Sequence, residues 1–355
     1  MKGSIKLFDV AGISVKIHLT FFLLPLIFLV WGGFKSMVLV LIIFLCVTLH
    51  ELTHSLVAMR FGIRVKDITL LPIGGVASMT RMPENPKQEF LISIAGPAFN
   101  VVFAVFLMVV FHYSPWMPAY ILRQPEFGDS WLHMLAWVPR INIILAVFNL
   151  LPAFPMDGGR MLRAVLATRI DYTRATRIAV NIGHIFALIF AFIGFMYNHI
   201  FLILIAVFIY MTASAEESHV KVKTTLKDLR VRDVLNLQYT SLEKDTPLSR
   251  VFELIFHTHQ EDFPIIEGGR MEGFVSRQDI INAMHSTGPD TKVGDIMRQD
   301  MPSASENDLL VNVQRVMEES GTRALPVKRR DNVIGIVTLE DIGRVYSIMA
   351  HRRGA

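Results

Sequence analysis

The chain has 355 residues, of which 52% are hydrophobic and 19% charged, with a formal net charge of +4. The charges are unevenly spread: residues 1–215 hold 16 Lys and Arg against 9 Asp and Glu, while residues 216–355 hold 19 against 22. This split excludes a single soluble domain and predicts a membrane part followed by a soluble part. Because the basic excess belongs to the membrane part, we expect a lipid bilayer and no nucleic acid as a partner.

Six apolar runs in the first part are long enough to span the hydrocarbon of a bilayer or to contribute to a buried bundle. They lie at about 18–33, 37–59, 89–112, 131–151, 175–197 and 199–213. An even number of spans puts both termini on one side. Thirteen Lys and Arg fall in the loops of that side and two on the other, with Arg140 unassigned, so the positive-inside rule predicts an integral, multi-pass protein with both termini cytoplasmic.

A metal-binding pattern lies near the end of the second run, in the sequence H-E-L-T-H at residues 50–54. On a helix, residues four apart share a face, so His50 and His54 can both bind one Zn²⁺ while Glu51 reaches the bound water. An ionisable group in hydrocarbon is costly unless it is paired, hydrated or bound to metal. The alternative is two buried histidines that only hydrogen-bond to their neighbours.

A catalytic zinc site normally has a third protein ligand and an open position for water. Asp157 is the best candidate, because Pro152 and Pro155 before it stop a helix and Gly158-Gly159 after it permits unusual dihedrals. Unwound backbone at membrane depth is tolerated only where protein or water surrounds it. The alternative is that Asp157 caps a helix after a loop.

Together these residues resemble the site-2 protease family of intramembrane zinc metalloproteases, in particular the branch that processes sporulation pro-sigma factors. The motifs that carry the resemblance are residues 50–54, 93–100 and 149–158, and it covers nearly the whole chain. It implies one Zn²⁺ per chain held by His50, His54 and Asp157, with Glu51 as general base. It also implies a membrane-tethered protein substrate and a prokaryotic cell membrane.

The resemblance gives roles to further positions of the membrane part. It implies that the amides of Asn100 and Asn149 orient the substrate backbone or stabilise an oxyanion, with interhelical hydrogen bonds as the alternative. Apolar residues alternate with other residues over 65–79, with a break at Gly74-Gly75, and this pattern predicts a short hairpin or re-entrant loop. In the family such a segment offers an edge strand to an unwound substrate, and a plain cytoplasmic hairpin is the alternative.

After residue 215 the pattern changes to short amphipathic elements that repeat about every 62 residues. Each repeat has an apolar strand with a proline, a turn, and a second strand that runs into G-x-x-[ST]-x-x-D. The pair resembles tandem cystathionine-β-synthase (CBS) domains. We therefore predict an α-helical polytopic membrane protein of about six spans at 1–215, a linker at 216–224, and two α/β CBS domains at 225–285 and 286–349.

In that family the domain pair encloses clefts for an adenine nucleotide such as ATP or AMP. The resemblance maps the phosphate-binding hydroxyls onto Ser276 and Thr338 and the ribose-binding carboxylates onto Asp279 and Asp341. The alternative is that the two hydroxyls only cap the helices that follow. The resemblance also implies that the chain forms a homo-oligomer through this tail.

These observations lead us to expect a zinc-dependent intramembrane endopeptidase that cuts in or near a transmembrane segment and is regulated by nucleotide at its tail. A channel or transporter with a nucleotide-sensing tail is a second hypothesis, but it leaves the pattern at residues 50–54 without a role. An inactive, metal-bound scaffold is a third, and a cleavage assay separates it from the first.

Overall fold

The computed structural model describes residues 3–354 apart from 73, 80–82, 84, 115–130, 238, 259, 269 and 331. The chain divides into two compact units, Met1–Ser218 and His219–Ala355. This division falls inside the predicted linker at 216–224. The described backbone of residues 216–224 is helical.

The N-terminal unit is mainly helical. Its helices are α1 (Leu23–Arg60), preceded by a 3-10 turn at Leu19–Phe22, α2 (Pro86–His112), α3 (Trp131–Asn149), α4 (Asp157–Leu166), α5 (Tyr172–Met196) and α6 (Ile200–Leu226). Within the described chain, four segments are long and apolar enough to cross a membrane: Leu19–Arg60, α2, α5 and α6. Their many exposed large apolar side chains suit a lipid environment.

The predicted count of six spans is not confirmed. The runs at 18–33 and 37–59 fall within one helical segment, and the run at 131–151 gives only a shorter apolar helix, Met134–Asn149.

Helix α1 is interrupted at Gly33, whose φ of 74° and ψ of −175° are not helical. The rings of Phe21, before α1, and Phe44, within it, are 4.7 Å apart. A straight helix would separate residues this far apart in sequence by about 35 Å. The chain therefore reverses direction near Gly33, and the part of α1 before it, about 15 Å long, is too short to cross a bilayer alone.

A four-stranded sheet accompanies these helices. Its strands are β1 (Ser4–Val10), β2 (Ile13–His18), β3 (Val65–Leu71) and β4 (Gly74–Met79) in that spatial order. The β3–β4 pair is the hairpin predicted for 65–79, and β2 runs parallel to β3. The β1–β2 hairpin was missed, although Ala11-Gly12 between the strands, both with positive φ, is a typical two-residue turn.

The tail alternates short helices and strands. In chain order these are α7 (Leu248–His257), β5 (Phe263–Glu267), β6 (Arg270–Val275), α8 (Arg277–Ser286), α9 (Val293–Ile296), β7 (Ala304–Ser305), α10 (Leu310–Ser320), β8 (Ala324–Arg329), β9 (Asn332–Thr338) and α11 (Leu339–Gly354), with a 3-10 turn at Val231–Asp233.

The strand pairing of the tail repeats as the sequence pattern predicts. In the first repeat, Ile265 forms a parallel pair with Leu242 and an antiparallel pair with Gly273. In the second repeat, Val327 forms a parallel pair with Ala304 and an antiparallel pair with Gly335. The packing also crosses between repeats. Val231 lies in the core built around β8 and β9, whereas Val293 lies in the core built around β5 and β6. The start of each repeat thus completes the hydrophobic core of the other.

Candidate functional site

Three metal-binding side chains of the N-terminal unit converge on one point. His50 and His54 lie one turn apart on α1, and Asp157 is the first residue of α4. The two histidine Nε2 atoms are 3.0 Å apart, and Asp157 Oδ2 lies 3.2 Å from His50 Nε2 and 3.1 Å from His54 Nε2. None of the three side chains is more than 13% exposed, so the cluster is largely shielded from solvent.

The chemistry of these three groups fits a zinc ion. Ligand atoms at about 2.0–2.2 Å from one tetrahedral zinc lie about 3.3 Å from one another. His54 Nδ1 is 2.6 Å from the carbonyl oxygen of Ile92. This ring nitrogen donates to the carbonyl, which turns the lone pair of Nε2 toward the cluster. Two imidazoles and one carboxylate would hold zinc and leave a fourth position for water.

Helix α2 passes unusually close to the two histidine rings. A Cβ added to Gly96 would lie 2.3 Å from His54 Nε2 and 2.6 Å from His50 Nε2. Any side chain larger than hydrogen would therefore displace the rings. Gly96 belongs to a motif that carries the family resemblance, but its role depends on a contact between two helices and could not be read from sequence.

The segment between α3 and α4 is irregular, as predicted. Its close packing requires both glycines after Asp157, since a Cβ on Gly158 would lie 2.3 Å from the Leu151 carbonyl oxygen and one on Gly159 would lie 2.5 Å from the Ala153 carbonyl carbon. The N-cap of α4 is Met156. Asp157 therefore directs its carboxylate to the histidines instead of capping the helix.

Glu51 is half-buried and lies against strand β4. A Cβ on Gly75 would come within 2.7 Å of Glu51 Cγ, so the strand backbone passes directly over this side chain. Gly74 starts the strand with a φ of 140°. Since β4 is the last strand of its sheet, the hairpin brings an edge strand beside Glu51.

The two asparagines implied by the resemblance differ in their surroundings. Asn100, one turn after Gly96 on α2, is fully buried, and neither atom of its amide has a hydrogen-bond partner in the described part of the chain. Asn149 is half-buried and donates from Nδ2 to the carbonyl oxygen of Leu145 in its own helix, at 2.9 Å. Neither amide makes the interhelical hydrogen bond considered as the alternative within the described residues.

A further asparagine, Asn142, was not predicted to be near the site. Asn142 of α3 is fully buried and donates to Cys46 Sγ at 3.3 Å and to the carbonyl oxygen of Val138 at 2.9 Å. Cys46 lies one turn before His50, so this contact joins α3 to the helix that carries the histidines. The signal in the sequence was a polar residue inside an apolar run.

The four tail residues form two matching pairs at helix starts. Ser276 Oγ accepts from the backbone N–H of Asp279 at 3.3 Å, and Asp279 Oδ2 accepts from that of Ser276 at 3.2 Å. Thr338 and Asp341 repeat both bonds at 3.1 and 3.2 Å. These reciprocal bonds cap α8 and α11. Nucleotide binding by the same residues stays a prediction.

The two pairs differ in one neighbour. Arg298 donates to Asp279 Oδ1 from Nη2 at 2.6 Å and from Nε at 3.2 Å. Burial raises the pKa of Asp279, but the hydrogen bonds from Arg298 and Ser276 outweigh it and hold that pKa below its ordinary value. The matching position of the other repeat is Asn236, which pairs with β9 as Arg298 pairs with β6. Asp341 therefore has no arginine at the equivalent position.

Comparison with known proteins gives the same two-part division. A sequence profile of peptidase family M50 matches residues 38–128 and 118–190, and a CBS domain profile matches residues 231–286 and 293–347.

Two relatives and one solved structure illustrate the similarity. A zinc metalloprotease of Methanocaldococcus jannaschii is 31% identical over 98% of each chain. Stage IV sporulation protein FB of Bacillus subtilis is 26% identical over 50% of this chain and 56% of its own. The structure of a site-2 protease from Methanocaldococcus jannaschii is 38% identical, covers 60% of this chain and 95% of its own, and has a TM-score of 0.47.

Proposed function

Since the chain belongs to peptidase family M50, the site-2 protease family of integral membrane zinc metalloendopeptidases, and ends in two CBS domains, we propose that it hydrolyses a peptide bond in or near a transmembrane segment of a membrane-tethered protein. The observation that carries this proposal is the convergence of His50, His54 and Asp157 within 3.2 Å of one another. Glu51 lies on the same helix as the two histidines and beside Gly75 of strand β4.

We assign His50, His54 and Asp157 as the zinc ligands and Glu51 as the general base. Zinc bound there would supply a water of lowered pKa and polarise the scissile carbonyl. Glu51 takes a proton from the attacking water and returns it to the leaving amine. The largely buried surroundings strengthen these interactions, because they exclude bulk water.

Strand β4 is the proposed site of substrate pairing. A peptide bond in a helix is shielded by its own hydrogen bonds and side chains, so the substrate must unwind locally before hydrolysis. An extended substrate segment that adds to the edge of β4 would satisfy its freed backbone groups. Because Gly75 passes over Glu51, this pairing would bring a peptide bond to the general base.

The remaining polar positions complete the proposed site. Asn100 has a buried amide available to donate to an oxyanion or to the substrate backbone. We propose the same class of role for Asn149, whose Nδ2 is already engaged in its own helix.

A cleavage assay with the full chain tests the proposal. Purified protein in liposomes is mixed with a panel of single-span test substrates, and product masses locate the cut. We expect cleavage in or near the membrane segment, and Glu51→Gln should lower its rate by about 10²- to 10⁴-fold because the isosteric amide cannot accept the proton. Undiminished cleavage by Glu51→Gln would overturn the assignment. Bound zinc with no cleavage of any substrate would favour the inactive scaffold.

For the tail we propose that an adenine nucleotide such as ATP or AMP binds near the two capped helix starts and regulates cleavage. The matched CBS profiles support this, and a helix N-terminus with a neighbouring hydroxyl favours a phosphate. Ser276 and Thr338 would lie near phosphate, and Asp279 and Asp341 on ribose hydroxyls. Because Arg298 already holds Asp279, the pair at Thr338 and Asp341 is the more open of the two.

Calorimetric titration of the full chain with ATP, ADP and AMP tests nucleotide binding. We expect binding by the wild type and a larger loss of affinity in Asp341→Asn than in Asp279→Asn. An absence of heat and of any thermal shift with all three nucleotides would remove the regulatory proposal while leaving the peptidase proposal intact.

We also propose that both termini face the cytoplasm of a prokaryotic cell and that the chain self-associates through its tail. The excess of basic residues in the loops of that side supports the orientation. Labelling of cysteines introduced at residues 198 and 219 by a membrane-impermeant reagent in intact cells tests it, with residue 198 alone expected to react. Sedimentation of the detergent-solubilised chain tests self-association.

A further inference from the structure

Arg163 is the largest fully buried side chain of the described residues, with 2% of its surface exposed. It lies on α4, six residues after Asp157. Its Nε and Nη2 donate to Glu89 Oε1 of α2 at 2.8 and 2.5 Å, and its Nη1 donates to Glu216 Oε1 of α6 at 2.6 Å. One guanidinium therefore joins three helices of the N-terminal unit.

Two aromatic rings flank the same guanidinium. Its Cζ lies 4.7 Å from the centroid of Phe154 and 4.9 Å from that of Tyr172. Phe154 precedes Asp157 by three residues, and Arg163 follows it by six. Arg163 is thus linked to the chain on both sides of Asp157. It is part of α4, which follows Asp157, and it contacts Phe154 in the irregular segment before Asp157.

This network is costly to build for stability alone. Taking an arginine and two carboxylates out of water carries a desolvation penalty that ion pairing often only balances, whereas apolar side chains of similar volume would pack without it. The planar fork of arginine does supply fixed geometry that apolar packing lacks. Two of the three helices that Arg163 joins carry residues of the proposed site. Helix α4 begins with Asp157, and α2 carries Gly96, which lies against both histidines.

We propose that Arg163 is a positioning residue that sets where the Asp157 carboxylate lies relative to His50 Nε2 and His54 Nε2. We propose further that Glu216 is the contact through which α6 holds Arg163 in place. A rotation or shift of α6 would change the Glu216 contact and, through Arg163, the placement of Asp157. The inference rests on the proposed zinc site and adds the residues that tune it.

Two neighbouring residues of α6 provide a matched pair for the test. Glu216 reaches Arg163, whereas Glu217 pairs with Arg177, whose side chain is 58% exposed, at 3.5 Å. Glu216→Gln and Glu217→Gln remove the same charge one position apart. The full chain in detergent is equilibrated with zinc and a competing chelator of known affinity, bound zinc is measured by mass spectrometry, and thermal midpoints are recorded in parallel.

We expect Glu216→Gln to weaken zinc binding on the order of tenfold, the lower end of the effect seen when an outer-shell partner of a metal ligand is removed. Glu217→Gln should stay within about twofold of wild type, since Glu217 pairs with Arg177 of α5, whose side chain is 58% exposed, and not with Arg163. Arg163→Met should weaken zinc binding more than Glu216→Gln, and Arg163→Lys should restore part of the loss, because it keeps the charge without the fork.

Equal zinc affinity in Glu216→Gln and Glu217→Gln would overturn the positioning role while leaving the zinc site in place. If Arg163→Met does not fold, Glu216→Gln and Arg163→Lys still decide the question, and an unchanged zinc affinity in both would count against it. A wild-type chain that binds no zinc would overturn the proposed function itself.

Discussion

The metal cluster and the tail pairs satisfy their polar groups in opposite ways. At the cluster, two imidazole nitrogens and a carboxylate oxygen lie 3.0–3.2 Å from one another, which is close to the spacing of ligand atoms around one zinc ion. In the tail, each carboxylate bonds to the backbone N–H and the hydroxyl of its Ser or Thr partner. The first arrangement fits the coordination shell of a metal ion, whereas in the second the hydroxyl and the carboxylate already bond to each other and to the backbone.

This difference separates two sites that the family resemblance supports equally. Geometry argues for a metal ion at His50, His54 and Asp157, because three atoms of ligand type converge at the spacing of a zinc coordination shell. At Ser276 and Thr338 the observed bonds explain the residues already, so nucleotide binding must be tested by titration. The following experiments ask whether the two regions respond to mutation as differently as their hydrogen bonding suggests.

Apart from changes to Glu51 and the three assigned ligands, the largest effect is expected from Asn100→Ala, which removes a buried amide with no partner among the described residues. If this amide donates to the oxyanion, cleavage should fall by about 10²- to 10³-fold. Asn149→Ala should lower the rate less, because its amide nitrogen already donates to Leu145 within α3. Rates are measured in liposomes, with zinc content as a check. Equal rates for Asn100→Ala and wild type would place Asn100 outside the reaction.

A smaller effect is expected from Gly96→Ala. The added Cβ would lie 2.3 Å from His54 Nε2, so a ring must move and zinc affinity should fall by roughly 10- to 100-fold. Gly343→Ala is the matched control, since its Cβ would meet no atom within 4 Å. Chelator competition measures both. Wild-type affinity in Gly96→Ala would show that α2 does not confine the histidines.

The smallest effects are expected in the tail. Ser276→Ala and Thr338→Ala each remove a helix cap and should lower the free energy of unfolding of the tail by about 1 kcal/mol. Thr338→Ser keeps the hydroxyl and should change it little. Denaturant unfolding of the full chain, followed by a fluorophore attached in the tail, measures the change, with zinc content expected to stay at the wild-type level. A loss of zinc in these variants would contradict the separation of the two regions.

Local patterns carried much of the prediction. The i, i+4 spacing of His50 and His54 needs only a helix, and the helix breakers around Asp157 needed only the intrinsic preferences of Pro and Gly. The repeat in the tail followed from the self-similarity of its two halves. These features depend on short-range geometry, which is why the sequence could predict them.

The rest depends on contacts between elements far apart in the chain. Arg163 is one of the thirteen basic residues that were counted as loop residues, whereas the structure buries it on α4 with Glu89 and Glu216 around it. The runs at 18–33 and 37–59 were predicted to be separate spans from their apolar length alone. That criterion does not show that the helical part before Gly33 is too short to cross a bilayer. The β1–β2 hairpin was hidden because β1 carries Lys6 and Asp9 and exposes most of its side chains, so it shows no apolar alternation.

The most direct test of the account is the zinc content of Glu51→Gln and Asp157→Ala, purified in parallel and measured by mass spectrometry. Both changes remove one carboxylate from the same small region, but only Asp157 is assigned as a ligand. The account predicts about one zinc per chain in Glu51→Gln and close to none in Asp157→Ala. Equal zinc content in the two variants, whether full or absent, would contradict it.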